Sequence, residues 1–337
     1  MPFRKKKEFI NYVSDNPELE EWIRDFSKHL KTHPEKNTIV YPESFATGYA
    51  RVLKIEDGLT FRMVNYRLNS NFVFERLPSP EFYLILYYYQ YSNCRRLDYK
   101  INDRVVLENV DSDYSSLLMT NSHTGQELKL TRDTIVRGLT IQISEAWLKK
   151  NLVVSSRLDL NMLRKKDVFQ TFISIKSRRL LVEIFSPKIV SPVPDVYLSA
   201  RVLQLLDYFL ENIFQNGLDA NVLPVSSKDV QQILNVQQYL IKNYREQFPT
   251  IEYLSRLALM SGSKLKQSFK KAFGMGLFEY FQKNRMMKAR ELLQSNLYTV
   301  TEVGNMLGYH NLSNFSTAFR KEFGYLPREE SHMEQEY

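Results

Sequence analysis

Between Thr250 and Pro327 the apolar positions run through one pattern twice. The first copy is TIEYLSRLALMSGSKLKQSFKKAFG, residues 250–274; the second is TVTEVGNMLGYHNLSNFSTAFRKEFG, residues 299–324. Ile251 and Leu254 return as Val300 and Val303, forty-nine positions on. Leu265, Phe269, Phe273 and Gly274 return as Phe315, Phe319, Phe323 and Gly324, fifty positions on. One residue is therefore added in the second copy after Tyr309, at a turn, as expected of one supersecondary unit used twice. Each copy predicts a short helix, a turn and a second helix. Leu254, Leu257 and Ala258 share a face with Ile251, and Leu265, Phe269 and Ala272 form the next stripe. Ser261 or Ser263, and Asn311 or Ser313, are placed to cap the second helices, and Gly274 and Gly324 to end them. Two short helices joined in this way make a helix-turn-helix unit, whose second helix can enter a major groove.

The outward faces carry the chemistry. The first second-helix presents Lys264, Lys266, Gln267, Lys270 and Lys271, with no acid between Ser255 and Phe278. The other presents Asn314, Ser316, Thr317, Arg320 and Lys321, with Glu322 its one acid. A single lysine-rich face reads most simply as solvated surface. Two such faces at a fixed repeat fit phosphate neutralisation by Lys and Arg, with base edges read by Gln, Ser and Thr.

On Ser261, Leu265, Phe269-Lys270-Lys271 and Gly274, and on Val300, Val303, Gly308-Tyr309, Phe315, Phe319-Arg320-Lys321, Phe323-Gly324 and Pro327, residues 230–328 resemble the DNA-binding domain of the AraC/XylS family of bacterial transcription regulators. Phe278-Glu279-Tyr280 through Arg285, Ala289-Arg290 and Leu292-Leu293 resembles that family's linker helix. The resemblance implies base reading by Ser263, Lys266 and Gln267, and by Ser313 and Thr317. It implies phosphate contacts by Lys264, Lys270, Lys271, Arg320 and Lys321. Thr317 stands where the family often has Arg, so the second unit is expected to read bases weakly or through shape. Leu259 stands where the second copy has Gly308. A left-handed backbone strains a leucine, so the first turn is expected to differ in backbone.

Upstream the periodicity changes. Residues 1–37 predict a helical lead-in whose stripe is Leu19, Trp22, Ile23, Phe26 and Leu30, with Pro17 at its start. Residues 38–143 carry short β-favouring runs at 49–56, 59–68, 71–77, 82–91, 104–110, 114–119, 126–130 and 134–143. Turn signals such as Asp57-Gly58, Pro78-Ser79-Pro80 and Asp111-Ser112-Asp113 separate them. Such punctuation predicts a sandwich or jelly-roll barrel, and the stretch resembles the cupin-like sensing domain of many AraC-type regulators. Residues 144–217 read as a helical subdomain, with Val168, Phe169, Phe172 and Ile173 marking one helix and Pro187 a break. Val196 to Phe214 is a strong amphipathic helix whose Val202, Leu206, Phe209 and Ile213 suit either dimer contacts or packing on the chain's own barrel. Residues 218–228 read as a linker, 229–328 as the DNA-binding domain and 329–337 as an acidic tail. The fold class expected is thus multidomain α+β, a cupin-like β-barrel with a helical subdomain followed by an all-α domain.

Charge sharpens this picture. Of the net +8, the span Lys228–Arg328 holds 15 Lys plus Arg against 7 Asp plus Glu, whereas residues 1–227 hold 31 against 27. That footprint fits nucleic acid. The single cysteine, Cys94, excludes an intramolecular disulfide and fits a reducing cytoplasm. The basic start Met1–Lys7 has no apolar region after it, and Phe82–Tyr91 is too short to span a bilayer as a helix.

Chemistry for an enzyme is sparse. Five histidines, of which only His123 falls in the strand-rich region, supply no metal-ligand set. No phosphate loop, nucleophile elbow or Cys-x-x-Cys pair is present. Strand alternation sets Tyr83, Tyr87 and Tyr89 on one face, suited to a ligand cavity or to packing, and Arg76 is placed to meet an acidic ligand. The reading is a non-enzymatic, cofactor-free, ligand-responsive DNA-binding regulator of the cytoplasm. Its expected partners are double-stranded DNA, a small-molecule effector, a second copy of the chain and, for an activator, RNA polymerase, with no membrane. Two alternatives stay open: a β-barrel enzyme with an accessory DNA-binding domain, and a constitutive binder whose barrel only dimerises.

Overall fold

The structure, a computed structural model, describes residues 9–15, 18–102, 104–110, 114–153, 159–171, 173–186, 191–218 and 228–332. The basic start, Pro17, the Asp111-Ser112-Asp113 turn, Phe172, Pro187, linker residues 219–227 and tail residues 333–337 lie outside them. The chain divides into two compact units. One comprises residues 1–173 and 206–225, the other 174–205 and 226–337.

The first unit is β-rich. In chain order it holds β1 (Phe9–Ser14), α1 (Leu19–His29), β2 (Thr38–Val40), β3 (Ala46–Glu56), β4 (Leu59–Leu68), β5 (Asn71–Arg76) and β6 (Tyr83–Ser92). It continues through β7 (Leu97–Ile101), β8 (Arg104–Val110), β9 (Tyr114–Asn121), β10 (Gln126–Leu130), β11 (Ile135–Ser144), α2 (Glu145–Asn151), α3 (Leu160–Lys165) and β12 (Val168–Thr171). The strands form a five-stranded sheet ordered β1-β5-β10-β7-β8 and a seven-stranded sheet ordered β12-β9-β6-β11-β4-β3-β2. Eight strands fall on the runs predicted above; β1, β2, β7 and β12 do not.

Two corrections have plain causes. The lead-in is a strand before it is a helix: Phe9–Ser14 pairs in parallel with β5, from Phe9 opposite Asn71 to Ser14 opposite Arg76. Val168–Thr171 is strand, not helix, because its four residues add to β9 at the edge of the larger sheet. In α1 four of the five predicted stripe residues, Leu19, Trp22, Ile23 and Phe26, are buried, while Leu30 is the half-buried C-cap after the helix.

The second unit is helical. It takes in α4 (Ile175–Ile184), the first part of α5 (Pro194–Asn216), then α6 (Lys228–Lys242), α7 (Ile251–Leu257), α8 (Gly262–Phe273), α9 (Leu277–Gln294), α10 (Val300–Met306), α11 (Leu312–Phe323) and α12 (Pro327–His332). Among the described residues no helix is long and apolar enough to cross a membrane. The stripe of α5 is already covered inside the single chain: Val202 is 0%, Leu206 2%, Phe209 4% and Ile213 1% exposed. Phe209 meets Phe169 of β12 edge-on, with ring centroids 6.2 Å apart. Packing on the chain's own residues therefore occupies the side chains expected at a dimer contact.

A buried ionic node ties α4 to the end of the helical unit. Glu183 accepts from Arg290 Nη1 at 2.9 Å and from Arg201 Nε at 2.7 Å. Arg290 Nε also donates to Glu330 at 3.2 Å, and its guanidinium lies over Phe323. Glu330, which composition assigns to an acidic tail, is thus a buried member of α12.

Candidate functional site

The two helix-turn-helix units are built from matching parts. Thr250 caps α7 by accepting from the Tyr253 N–H. Thr299 caps α10 in the same place and adds a reciprocal bond with Glu302, a full capping box. Ser261 caps α8 and Asn311 caps α11. Both second helices end at a glycine in the left-handed region, Gly274 at φ 74° and Gly324 at φ 89°. Leu265, Phe269 and Phe273 are buried in the first unit, and Phe315, Phe319 and Phe323 in the second.

The turns contradict the expectation for Leu259. Its φ is 49°, and Gly308 in the second turn has φ 73°. Both turns thus take the left-handed backbone. Leu259 carries this strain with its side chain 72% exposed. The local cost is of the order of 1–2 kcal/mol, which the packed helices on either side offset. Gly308 has no such freedom, since a Cβ there would fall 2.3 Å from the Arg245 carbonyl oxygen.

Helix α9 spaces the two units. Its first part enters the first core, where Tyr280 packs against Phe269 and Phe273 at 5.2 and 4.8 Å. Its last part, Met286, Ala289 and Leu293, enters the second core with Val303, Leu307, Phe315 and Phe319. From Tyr280 to Leu293 the helix rises about 20 Å. Arg285 fixes the second turn by donating to the Leu307 carbonyl and lying over the Tyr309 ring.

On α8 the side chains of Ser263, Lys264, Lys266, Gln267, Lys270 and Lys271 are exposed. On α11 those of Ser313, Thr317, Arg320 and Lys321 are exposed. Every position inferred for base or phosphate contact is therefore presented to solvent on the face opposite the buried phenylalanines. Glu322, the acid of α11, is partly buried, and that burial raises its carboxyl above the ordinary value.

The β-rich unit encloses a second candidate site. Residues from both sheets line a cavity of about 60 Å³, among them Arg62, Tyr87, Tyr89, Tyr99, Gln126 and Gln170. Cross-strand register sets Arg62 opposite Thr140, and Thr140 opposite Tyr87, in one row. Tyr89 lies opposite Gly138, where any Cβ would fall 2.4 Å from the Tyr89 ring. That glycine makes room for the phenol. Tyr99 donates to Gln126 Oε1 at 2.6 Å, and Gln126 Nε2 donates to the Tyr87 oxygen at 2.8 Å.

Tyr87 and Tyr89 thus line the cavity, but Tyr83 and Arg76 do not. Tyr83 donates to Glu18 at 2.7 Å. Arg76 is buried and donates to the carbonyls of Asn121 and Ser122, which makes it a brace for the β9–β10 turn. The cation at the cavity is Arg62, which the sequence reading passed over. Like Arg76 it is an arginine on a strand, and the register of β4 against β11 is what turns it to the cavity. Cys94 is buried beside Thr134.

A family model for a helix-turn-helix domain matches residues 254–332. The F1 operon positive regulatory protein of Yersinia pestis is 32% identical over 95 residues, 28% of this chain and 32% of that protein. The HTH-type transcriptional activator RhaS of Escherichia coli O1:K1 is 35% identical over 65 residues, 19% of this chain and 23% of RhaS. The chain thus spans a third or less of the length of these curated relatives. A solved structure of a probable AraC family transcriptional regulator from Rhodopseudomonas palustris is 26% identical, with a TM-score of 0.28, covering 31% of this chain and 96% of that one. Matched caps, matched cores and the family model fall on the same stretch: residues 254–332 form a helix-turn-helix domain, similar to those of AraC-type regulators.

Proposed function

We propose that the protein is a sequence-specific, ligand-responsive transcription regulator that inserts α8 and α11 into successive major-groove faces of double-stranded DNA. The observation that carries this reading is the doubled, solvent-facing set of basic and polar side chains on two helices held by one rigid spacer. Major-groove faces recur about every 34 Å along the duplex, a spacing that two readers on one long helix can meet with modest bending of the DNA. Lys264, Lys270, Lys271, Arg320 and Lys321 hold phosphates in this reading. Ser263, Lys266, Gln267, Ser313 and Thr317 read bases. The cavity of the β-rich unit supports an effector site. The names of the Yersinia and Escherichia relatives, a positive regulator and an activator, support activation and hence contact with RNA polymerase. A second copy of the chain and a cytoplasmic location belong to the same proposal.

The test is selection of genomic DNA fragments by the purified chain at two salt concentrations, followed by sequencing. The reading expects one motif with two half-reads about a helical turn apart. Salt-sensitive capture without a motif would overturn it and leave the lysines as a phosphate-holding face only.

A further inference from the structure

We infer that the cavity between the two sheets takes a small monocarboxylate whose acid group pairs with Arg62. This rests on the effector reading above and names the chemistry of that effector. Arg62 is only 7% exposed. Its Nη2 donates to the Tyr89 hydroxyl and to Thr140 Oγ1, each at 3.2 Å, and both acceptors are neutral. Its Nε is buried without an acceptor. The indole of Trp22 lies beneath the guanidinium, 4.1 Å to the ring centroid.

A buried guanidinium ordinarily has a carboxylate. Among the described residues none lines this cavity, and Arg62 is the one charged side chain that does. Two acids of the neighbouring α1 segment have partners of their own: Asp25 accepts from Tyr12 at 2.9 Å, and Glu18 from Tyr83. A buried fork of donors thus faces the cavity, and among the described lining residues no anion fills it. Arginine matches a carboxylate through two parallel N–H···O bonds. One cation calls for one negative charge.

The rest of the lining sets the body of the ligand. Phe74, Val106, Leu107, Leu118 and Leu128 present hydrocarbon. Gln126, with its hydrogen bonds to Tyr87 and Tyr99, is already satisfied on both sides of its amide. The remainder of the ligand is therefore apolar. A volume of about 60 Å³ is several times the roughly 10–15 Å³ that a single water needs, so the acid is short-chained or a single ring.

The experiment uses the full chain, and its readout is the thermal melting midpoint at constant ionic strength. The probes are sodium acetate, butyrate, hexanoate, octanoate and benzoate, each beside its neutral amide. At least one acid is expected to raise the midpoint saturably, with its amide at least tenfold weaker. Arg62→Met is expected to weaken that acid at least tenfold. Arg62→Lys, which keeps the charge but not the fork, should retain the preference for acid over amide at reduced affinity, and it serves if the methionine variant does not melt cooperatively. The inference is overturned if no acid raises the wild-type midpoint beyond chloride, if amides match acids, or if neither substitution changes the response. DNA affinity measured with and without the bound acid separates the two readings. Acid binding through Arg62 with unchanged DNA affinity supports the site and removes only its effector role.

Discussion

Leu259 and Gly308 hold the same place in two copies of one turn and share its left-handed backbone. The surrounding hydrogen bonds repeat as well. Leu259 N–H donates to Arg256 O and Met260 N–H to Ser255 O; Gly308 N–H donates to Asn305 O and Tyr309 N–H to Gly304 O. Leu259→Gly should therefore stabilise the chain, by about 1 kcal/mol once the entropy of the new glycine in the unfolded chain is deducted. Gly308→Ala should destabilise it by more, because the added methyl strikes the Arg245 carbonyl. Denaturant titration of both variants checks the pair, and a destabilising Leu259→Gly would show that the exposed leucine makes a contact worth more than the strain.

The exposed positions of α8 separate by contact type. Lys270→Ala should weaken specific and random DNA about equally and lower the salt slope by about one. Gln267→Ala should cost about 1–3 kcal/mol at a single base position. Fluorescence anisotropy with the selected site and with scrambled DNA distinguishes them, and equal effects of both variants on both DNAs would count against the assignment.

Burial of the α5 stripe makes Leu206 a folding residue. Leu206→Glu places a charge where the side chain is 2% exposed, and a loss of several kcal/mol is expected. Circular dichroism melts should show a much lower midpoint or loss of the cooperative transition. Sedimentation of a folded variant as a smaller species would instead assign the residue to a subunit contact.

Glu183 holds Arg290 and Arg201 together, with its own side chain 10% exposed. Glu183→Gln leaves the cations without their charge partner, although Arg290 keeps Glu330. A cost of about 2–3 kcal/mol is expected, somewhat below that of stripping a buried pair outright. Urea denaturation measures it, and a neutral result would mean that solvent already screens the node.

The capping box adds a pH signature. Hydrogen bonds from the Thr299 backbone and hydroxyl hold the Glu302 carboxyl below its ordinary value of 4.5. A carboxyl whose folded value is depressed contributes stability above the unfolded value and loses it as pH falls through the folded one. The stability difference between wild type and Glu302→Gln should thus be full above about pH 5 and shrink as pH drops below 4.5. A difference that does not change over that range would argue against an ionised box.

How much was legible in sequence depends on whether the signal was local. The two helix-turn-helix units could be read because each stripe, cap and terminal glycine lies within one helix length of the next. The strands of 38–143 were legible where alternation ran for several residues between turn signals. β1 was not, since its partner is β5, sixty-two positions away, and six residues carry little period of their own. Val168–Thr171 was ambiguous because a short apolar run fits a helix or a buried strand equally. The cavity was half legible. Alternation along β6 put Tyr87 and Tyr89 together, but nothing local distinguishes Arg62 from Arg76, each an arginine on a strand. Only the sheet register, with Thr140 beside one and the carbonyls of Asn121 and Ser122 beside the other, decides which faces the cavity.

The Glu183 node bears on how such proteins can be recombined. The matched region begins at residue 254, and a splice between Gly217 and Lys228 looks like a clean seam for exchanging DNA-reading halves among relatives. It would transplant Arg290 while leaving Glu183 and Arg201 with the donor of the front half. A hybrid joined there inherits half of a buried charge cluster and must find a compatible glutamate in its new host. A junction moved upstream to Ser174 carries the whole cluster in one piece.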